Sequence, residues 1–257
     1  MKILTKKILA DLSGTRIIRF DIYAPLIARK AMPGQFIVLM ISEESERIPL
    51  TIVDSDPEKG AITIIFQELG FTTKMLGRMN SGDPLYSLTG PLGHPTEIKK
   101  YGRVMIVGGG VGIAEILPVA RAMKKAGNRV TTVLGARSRA LLILEEELKN
   151  ASDNLLVATD DGSYGGKGFT TDIVADLLSK DKFDFIYSVG PIPMMKRVAA
   201  ITKDSSARTV SSLNALMVDA TGMCGCCRVT VGGQVKFTCV DGPEFDAHLV
   251  DWEELEK

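Results

Sequence analysis

Apolar residues recur at every second position, or in short unbroken runs, through the first hundred residues of the chain. The stretches 17–24 (IIRFDIYA), 35–41 (QFIVLMI), 49–56 (PLTIVDSD) and 61–69 (AITIIFQEL) carry this pattern. Pro33-Gly34, Asp56-Pro57 and Ser81-Gly82-Asp83-Pro84 punctuate it with turn residues. Such spacing predicts strands of about six to eight residues joined by turns. No long helical period intervenes, so an antiparallel β-barrel is expected. A short helix is predicted over 72–79 (TTKMLGRM), with Thr72 or Thr73 as its N-cap. Glycine followed by hydroxyl residues at a helix start, as in Gly70, Thr72 and Thr73, suits either a phosphate or simple helix capping.

Past GPLGHP (90–95) the pattern changes. RVMIV (103–107) reads as a buried strand, GGGVG (108–112) follows at once, and a helix then places Ile113, Ile116, Leu117, Ala120 and Met123 on one face. Gly127 ends that helix, and RVTTVLGA (129–136) is the next strand. The glycines fall where strand passes to helix, and there bare amides and the positive helix end receive a phosphate. Further strands at 154–159 and 183–190, each followed by a helix, extend a doubly wound sheet. The acid that usually ends the second strand and holds a ribose 2′-hydroxyl is missing. Gly135, Ala136, Arg137, Ser138 and Arg139 stand there. The arginines suit an adenosine 2′-phosphate or a solvated helix start.

Composition narrows the function classes. The 257 residues are 45% hydrophobic, enough for two cores, and the 31 basic residues balance 31 acidic ones. No basic field points to nucleic acid or an anionic membrane. No apolar run reaches the roughly 18 residues of a membrane span. The start, MKILTKKILADL, lacks the apolar core of a secretory signal. A cytoplasmic location is expected, which also fits clustered free thiols.

All four cysteines, Cys224, Cys226, Cys227 and Cys239, lie in the stretch DATGMCGCCRVTVGGQVKFTC that begins at Asp219. The first three are too close to one another for easy disulfide pairing. Metal ligation is the better reading. Plant-type [2Fe–2S] proteins use Cys-x4-Cys-x2-Cys and a distant fourth cysteine. Here the last three places fall on Cys224, Cys227 and Cys239, and the first falls on Asp219; a carboxylate can bind iron, which makes the pattern three thiolates and one oxygen. Cys226 is then spare. The alternative is a structural zinc on four cysteines, which requires the neighbours Cys226 and Cys227 to share one ion.

Barrel, nucleotide fold and cysteine segment in that order resemble the ferredoxin–NADP reductase superfamily. The motifs GGGVGIAE, GARS with LLILEEEL, TDDGSYGGKG, GPIPMM and CVDGPEFDAH are similar to those of its dihydroorotate dehydrogenase electron-transfer subunits. Asp219, ERIPLTI and ELGFTTK look closer to another branch, the small subunits of NADH-dependent reduced ferredoxin:NADP oxidoreductases, also called sulfide dehydrogenase β subunits. The resemblance implies an antiparallel barrel binding FAD (1–97), an α/β domain binding NAD(H) or NADP(H) (98–213) and a small [2Fe–2S] appendage (214–257). It implies a heterodimer with a larger iron–sulfur flavoprotein subunit, and no part for nucleic acid or membrane.

Residue by residue, Pro49, Leu50 and Thr51 match the last places of the flavin signature. Ile48 takes its arginine position, and Arg47, one residue early, is carried over as a phosphate partner. Gly70, Thr72 and Thr73 match the pyrophosphate turn, and Gly108, Gly110 and Gly112 match the nicotinamide-nucleotide loop. Gly190 and Pro191 match the turn that faces the nicotinamide, although Val189 replaces its cysteine. Asp219, Cys224, Cys227 and Cys239 are the implied cluster ligands. The two histidines, His94 and His248, are read as incidental, and Trp252 as packing.

Overall fold

The computed structural model describes residues 1–12 and 14–256. The chain forms two compact units. One comprises Met1–Thr96, Ala215–Arg228 and Phe237–Pro243; the other comprises Glu97–Asn214, Val229–Lys236 and Glu244–Lys257. The segment 214–257 does not gather into a body of its own but is shared between them.

The first unit contains β1 (Lys2–Leu12), β2 (Thr15–Tyr23), α1 (Pro25–Ala28), β3 (Phe36–Met40), β4 (Ile48–Thr51), β5 (Asp54–Asp56), β6 (Ala61–Gln67), α2 (Phe71–Arg78) and β7 (Ser87–Leu92). They make two antiparallel sheets, in the orders β1-β2-β6-β5 and β4-β3-β7. Alternate residues of both sheets, among them Ile18, Phe20, Ile22, Ile37, Leu39, Ile62 and Ile64, fill one core with Leu76 of α2. Each such buried isoleucine or leucine contributes about 1.5–3 kcal/mol.

The expected strand 49–56 is broken in two. Ile52 donates its amide to Gln35 O, and Val53 donates to Thr63 O. The chain therefore leaves one sheet and joins the other between two buried residues. The N-terminal stretch is a strand, β1, with register shifts between Ile3 and Thr5 and between Ile8 and Ala10. These shifts break its period of two.

The second unit follows the alternating pattern: β8 (Arg103–Gly109), α3 (Gly112–Lys125), β9 (Arg129–Ala136), α4 (Glu145–Asn150), β10 (Asn154–Thr159), β11 (Gly166–Lys167), α5 (Thr170–Lys180), β12 (Phe185–Val189), α6 (Ile192–Thr202) and β13 (Arg208–Ser212). The later chain adds a hairpin of β14 (Arg228–Val231) and β15 (Gln234–Phe237), then α7 (Thr238–Asp241), β16 (Glu244–Asp246) and α8 (Trp252–Leu255).

Sheet order is β11-β10-β9-β8-β12-β13-β16, parallel throughout except that β16 runs antiparallel to β13. The chain builds outward from β8 through β9 and β10, then returns to build the other way from β12. The order reverses between β8 and β12, and ligands of open α/β sheets bind beyond the strand ends at such a point. Trp252 is buried with Met195, Ala199, Leu213 and Phe245, and its indole N–H donates to Ala247 O at 2.9 Å. Among the described residues, no helix is long and apolar enough to cross a membrane.

Candidate functional site

Gly108–Gly112 and Gly190–Pro191 lie at the carboxyl ends of β8 and β12, at the switch point. A Cβ on Gly108 would stand 2.7 Å from Ile116 Cδ1, and one on Gly112 would stand 2.7 Å from Val189 O. These two glycines let α3 press against the sheet. Gly110 differs: its φ is +59° and a Cβ there would meet nothing within 4 Å. Its bare side faces open space at the start of α3, where backbone amides attract anions. Gly109, passed over by the sequence reading, approaches Gly190 so closely that a Cβ on Gly190 would lie 3.0 Å from Gly109 O.

The arginine pair after β9 is tied to the TDDGSYGGKG loop. The Arg139 guanidinium lies 3.9 Å from the centre of the Tyr164 ring, and its amide donates to Ser163 Oγ at 2.8 Å. Tyr164 donates its hydroxyl to Glu145 at 2.5 Å. Ser138 Oγ is buried without a hydrogen-bond partner. Arg137 is exposed.

In the first unit, α2 is fixed from several sides. Thr73 Oγ1 accepts the amides of Leu69 and Gly70, both at 3.0 Å, and Thr72, buried, donates its hydroxyl to the Glu46 carboxylate. At the other end Lys6 Nζ donates to Gly77 O at 2.6 Å and Met79 O at 2.8 Å. Both threonine hydroxyls are thus used within the protein. What the turn offers an anion is the backbone, since the first amides of a helix lack intrahelical acceptors and a Cβ on Gly70 would meet nothing within 4 Å. Pro49, Leu50 and Thr51 are half-buried on β4, an edge strand, and Arg47 is exposed on the loop before it.

The cysteine loop rests on the same unit. Cys227 and Cys239 are buried with Phe36, Val38, Met217 and Ala220, whereas Cys224 and Cys226 are exposed. The Cys239 amide donates to Cys227 Sγ at 3.4 Å. Thr238 donates both its amide and its hydroxyl to Cys227 O, each at 3.0 Å. Asp219 accepts the amides of Thr221 (2.8 Å) and Cys224 (3.1 Å). Those bonds, the Thr221 amide foremost, hold its carboxyl below the usual range.

The amide of Cys226 lowers the Cys224 thiol, while the hydrogen bond to Cys224 raises Cys226. Burial, then the neighbouring Cys227, push Cys239 up to about 12. Two pairs result: Cys227 with Cys239, and Cys224 with Asp219. Among the described residues, no three Cys, His, Asp or Glu side chains are grouped to hold one metal ion.

His94 donates its amide to Gly242 O at 2.7 Å and its side chain is exposed. His248 Nε2 lies 2.9 Å from Thr202 Oγ1. Neither ring joins the residues described above.

Two family models match the chain. Residues 106–200 match the oxidoreductase NAD-binding domain, and residues 214–251 match the iron–sulfur cluster binding domain of dihydroorotate dehydrogenase B. A Thermotoga maritima protein described as a homologue of the electron transfer subunit of dihydroorotate dehydrogenase B (NAD+) is 50% identical over 93% of this chain and 84% of its own length. The chain belongs to the dihydroorotate dehydrogenase B electron-transfer subunit family.

Its relative from Shouchella clausii, the electron transfer subunit itself, is 37% identical over 86% of each chain. A solved structure concerned with flavin-based electron bifurcation by NADH-dependent reduced ferredoxin-NADP oxidoreductase superposes with a TM-score of 0.93. It shares 47% identity and covers 99% of this chain and 91% of the other. The family places an NAD-binding domain and an iron–sulfur-binding domain in one oxidoreductase chain, as the sequence reading expected.

Proposed function

We propose that this chain is an electron-transfer subunit carrying electrons between NAD(H), FAD and a [2Fe–2S] cluster, to or from a larger iron–sulfur flavoprotein subunit. The complex it serves is an NADH-dependent reduced ferredoxin:NADP oxidoreductase. The main support is the paired arrangement of the cysteine loop. A [2Fe–2S] cluster takes two protein ligands on each iron, which suits Cys227 with Cys239 and Cys224 with Asp219. A structural zinc would need four ligands around one ion, with the neighbours Cys226 and Cys227 sharing it.

The residues fit each group. Asp219 has about four lone-pair sites on its two oxygens, so it can keep its amide bonds and still ligate iron. Gly222 and Gly225, with φ of +82° and +71°, let the loop bend without side chains in the way. Gly110 leaves the amides at the start of α3 open to a dinucleotide phosphate. The start of α2 would offer the same to the flavin pyrophosphate, and Arg47, Pro49, Leu50 and Thr51 would hold the rest of the flavin as the resemblance implies.

When bound, FAD supplies the exchange between two-electron and single-electron transfer, and the cluster supplies the single-electron route outward. No side chain is needed as acid or base. The protein's part is to seat, orient and shield.

Cofactor content tests the reading. Protein purified without oxygen should carry FAD together with about two irons and two acid-labile sulfides per chain. Stoichiometric zinc without sulfide would overturn it. The names of the relatives favour a second reading, service to a dihydroorotate-oxidising subunit. Co-purification from the native source separates the two by the identity of the larger subunit.

A further inference from the structure

The loop 41–47 (ISEESER) between β3 and β4 is fixed at three points. Ser45 closes it on itself: its Oγ accepts the amides of Ile41 at 2.9 Å and Ser42 at 3.2 Å, and donates to Ser42 O at 2.9 Å. The next residue, Glu46, reaches out of the loop to α2, where its carboxylate accepts the hydroxyl of Thr72. Two residues on, Ile48 pairs with Leu39 of β3. Arg47 is the single residue between the side-chain anchor and the strand. Consecutive Cα atoms lie about 3.8 Å apart, so fixing Glu46 and Ile48 fixes the Arg47 backbone as well.

The anchor is set in the interior of the unit. Thr72 is only 4% exposed, whereas Glu46 and Arg47 are exposed. A buried hydroxyl needs a hydrogen-bond partner, and the one it has comes from a distant loop. A carboxylate is also favoured at the first turn of a helix, where the dipole is positive.

We propose that Glu46 is a positioning residue for the flavin pyrophosphate: by tying the β3–β4 loop to α2 through Thr72, it keeps Arg47 beside the helix start. The inference rests on the reading in which the start of α2 receives that pyrophosphate and Arg47 is a phosphate partner. An arginine on a free loop must be ordered when its ligand binds, and the cost of ordering is subtracted from affinity. The strap does that ordering in advance. It also explains why a carboxylate is kept next to an anion site, since Glu46 spends its charge on Thr72 while its neighbour supplies the guanidinium, the group best shaped for phosphate.

The test titrates the full-length, flavin-free chain with FAD and follows flavin fluorescence, alongside thermal unfolding without flavin. Arg47→Ala and Glu46→Ala should each weaken FAD binding about tenfold, the loss of one charge-assisted hydrogen bond. Glu46→Gln, which keeps an acceptor for Thr72, should bind FAD as the unsubstituted chain does. The double variant Glu46→Ala/Arg47→Ala should bind no more weakly than Arg47→Ala alone, because Glu46 acts through Arg47.

Losses that multiply in the double variant would overturn the proposal. So would Glu46→Ala protein that melts lower but binds FAD normally, which is the mark of a purely structural contact. Tighter FAD binding by Glu46→Ala would also overturn it, and would reveal a carboxylate that repels the pyrophosphate. Normal affinity in Arg47→Ala would remove the phosphate partner, and the proposal with it, while leaving the flavin site standing. Absence of FAD binding by the unsubstituted chain would overturn the flavin reading itself.

Discussion

The Cys239 amide points at the sulfur of Cys227, 3.4 Å away and buried beneath the β3 residues Phe36 and Val38. The pair is set by the barrel and not by the loop that carries the other two cysteines. Cys239→Ala should therefore abolish iron retention while leaving the fold cooperative, because losing one sulfur atom leaves only a small void. Iron analysis paired with thermal unfolding checks both halves, and a variant that retains full iron would remove Cys239 from the ligand set.

Asp219 is tested by three substitutions. Asp219→Cys should keep the cluster and lower its potential, since thiolate donates more electron density than carboxylate, with a shifted electron paramagnetic resonance spectrum. Asp219→Ala should lose iron and also the two amide bonds that shape the loop. Asp219→Asn keeps an acceptor for an amide but not the charge. If Asp219 only caps the loop, the Asn protein will hold iron with an unchanged spectrum.

Gly110 and Gly112 should part company when each is changed to alanine. At Gly112 a methyl would press on Val189 O, and overpacking of this kind costs about 1–3 kcal/mol. At Gly110 there is room, and the positive φ costs about 1–2 kcal/mol. Gly110→Ala should nevertheless weaken NADH binding by about tenfold, because its methyl faces the phosphate position at the helix start. Calorimetric melting and NADH titration together distinguish the two effects.

Lys6 caps the carboxyl end of α2 across the first unit. Lys6→Met should keep the stem packed but remove both bonds to Gly77 O and Met79 O, costing about 1–2 kcal/mol. Denaturant unfolding reads the loss. Flavin affinity should fall with it if α2 holds the pyrophosphate.

Glu97 gives a pH signature. Hydrogen bonds from Lys99, then Arg208 and Tyr101, hold its carboxyl down from 4.5 to about 2. A folded value below the unfolded one favours the charged form in the native state. The stabilisation is complete above about pH 4.5 and fades as the pH falls to about 2. Glu97→Gln should flatten the acid limb of a plot of unfolding midpoint against pH in that window, and should do nothing to its slope near neutrality.

Much of the nucleotide domain was legible because parallel strands buried on both faces leave continuous apolar runs. β9 and β10 coincide with the stretches 129–136 and 154–159 read from the sequence. The barrel was less legible. β1 hides behind its bulges and its lysines, and a single apolar run at 49–56 concealed a change of sheet at Ile52. Contacts between distant residues left no local signal. Nothing in the sequence links Glu46 with Thr72 or Arg139 with Tyr164. The cysteine spacing pointed to one loop, but the partition into an exposed and a buried pair depends on Phe36 and Val38, nearly two hundred residues earlier.

The way residues 215–257 are divided between the two units bears on how such a chain is inherited. A cysteine segment that folded alone could be gained or lost as a cassette. Here, truncation after Leu213 would strip β16 from the edge of β13 and Trp252 from the core around Met195. It would also uncover Phe36 and Val38 on the first unit. Descent and engineering alike must treat the metal-binding loop and both bodies as a single unit of change.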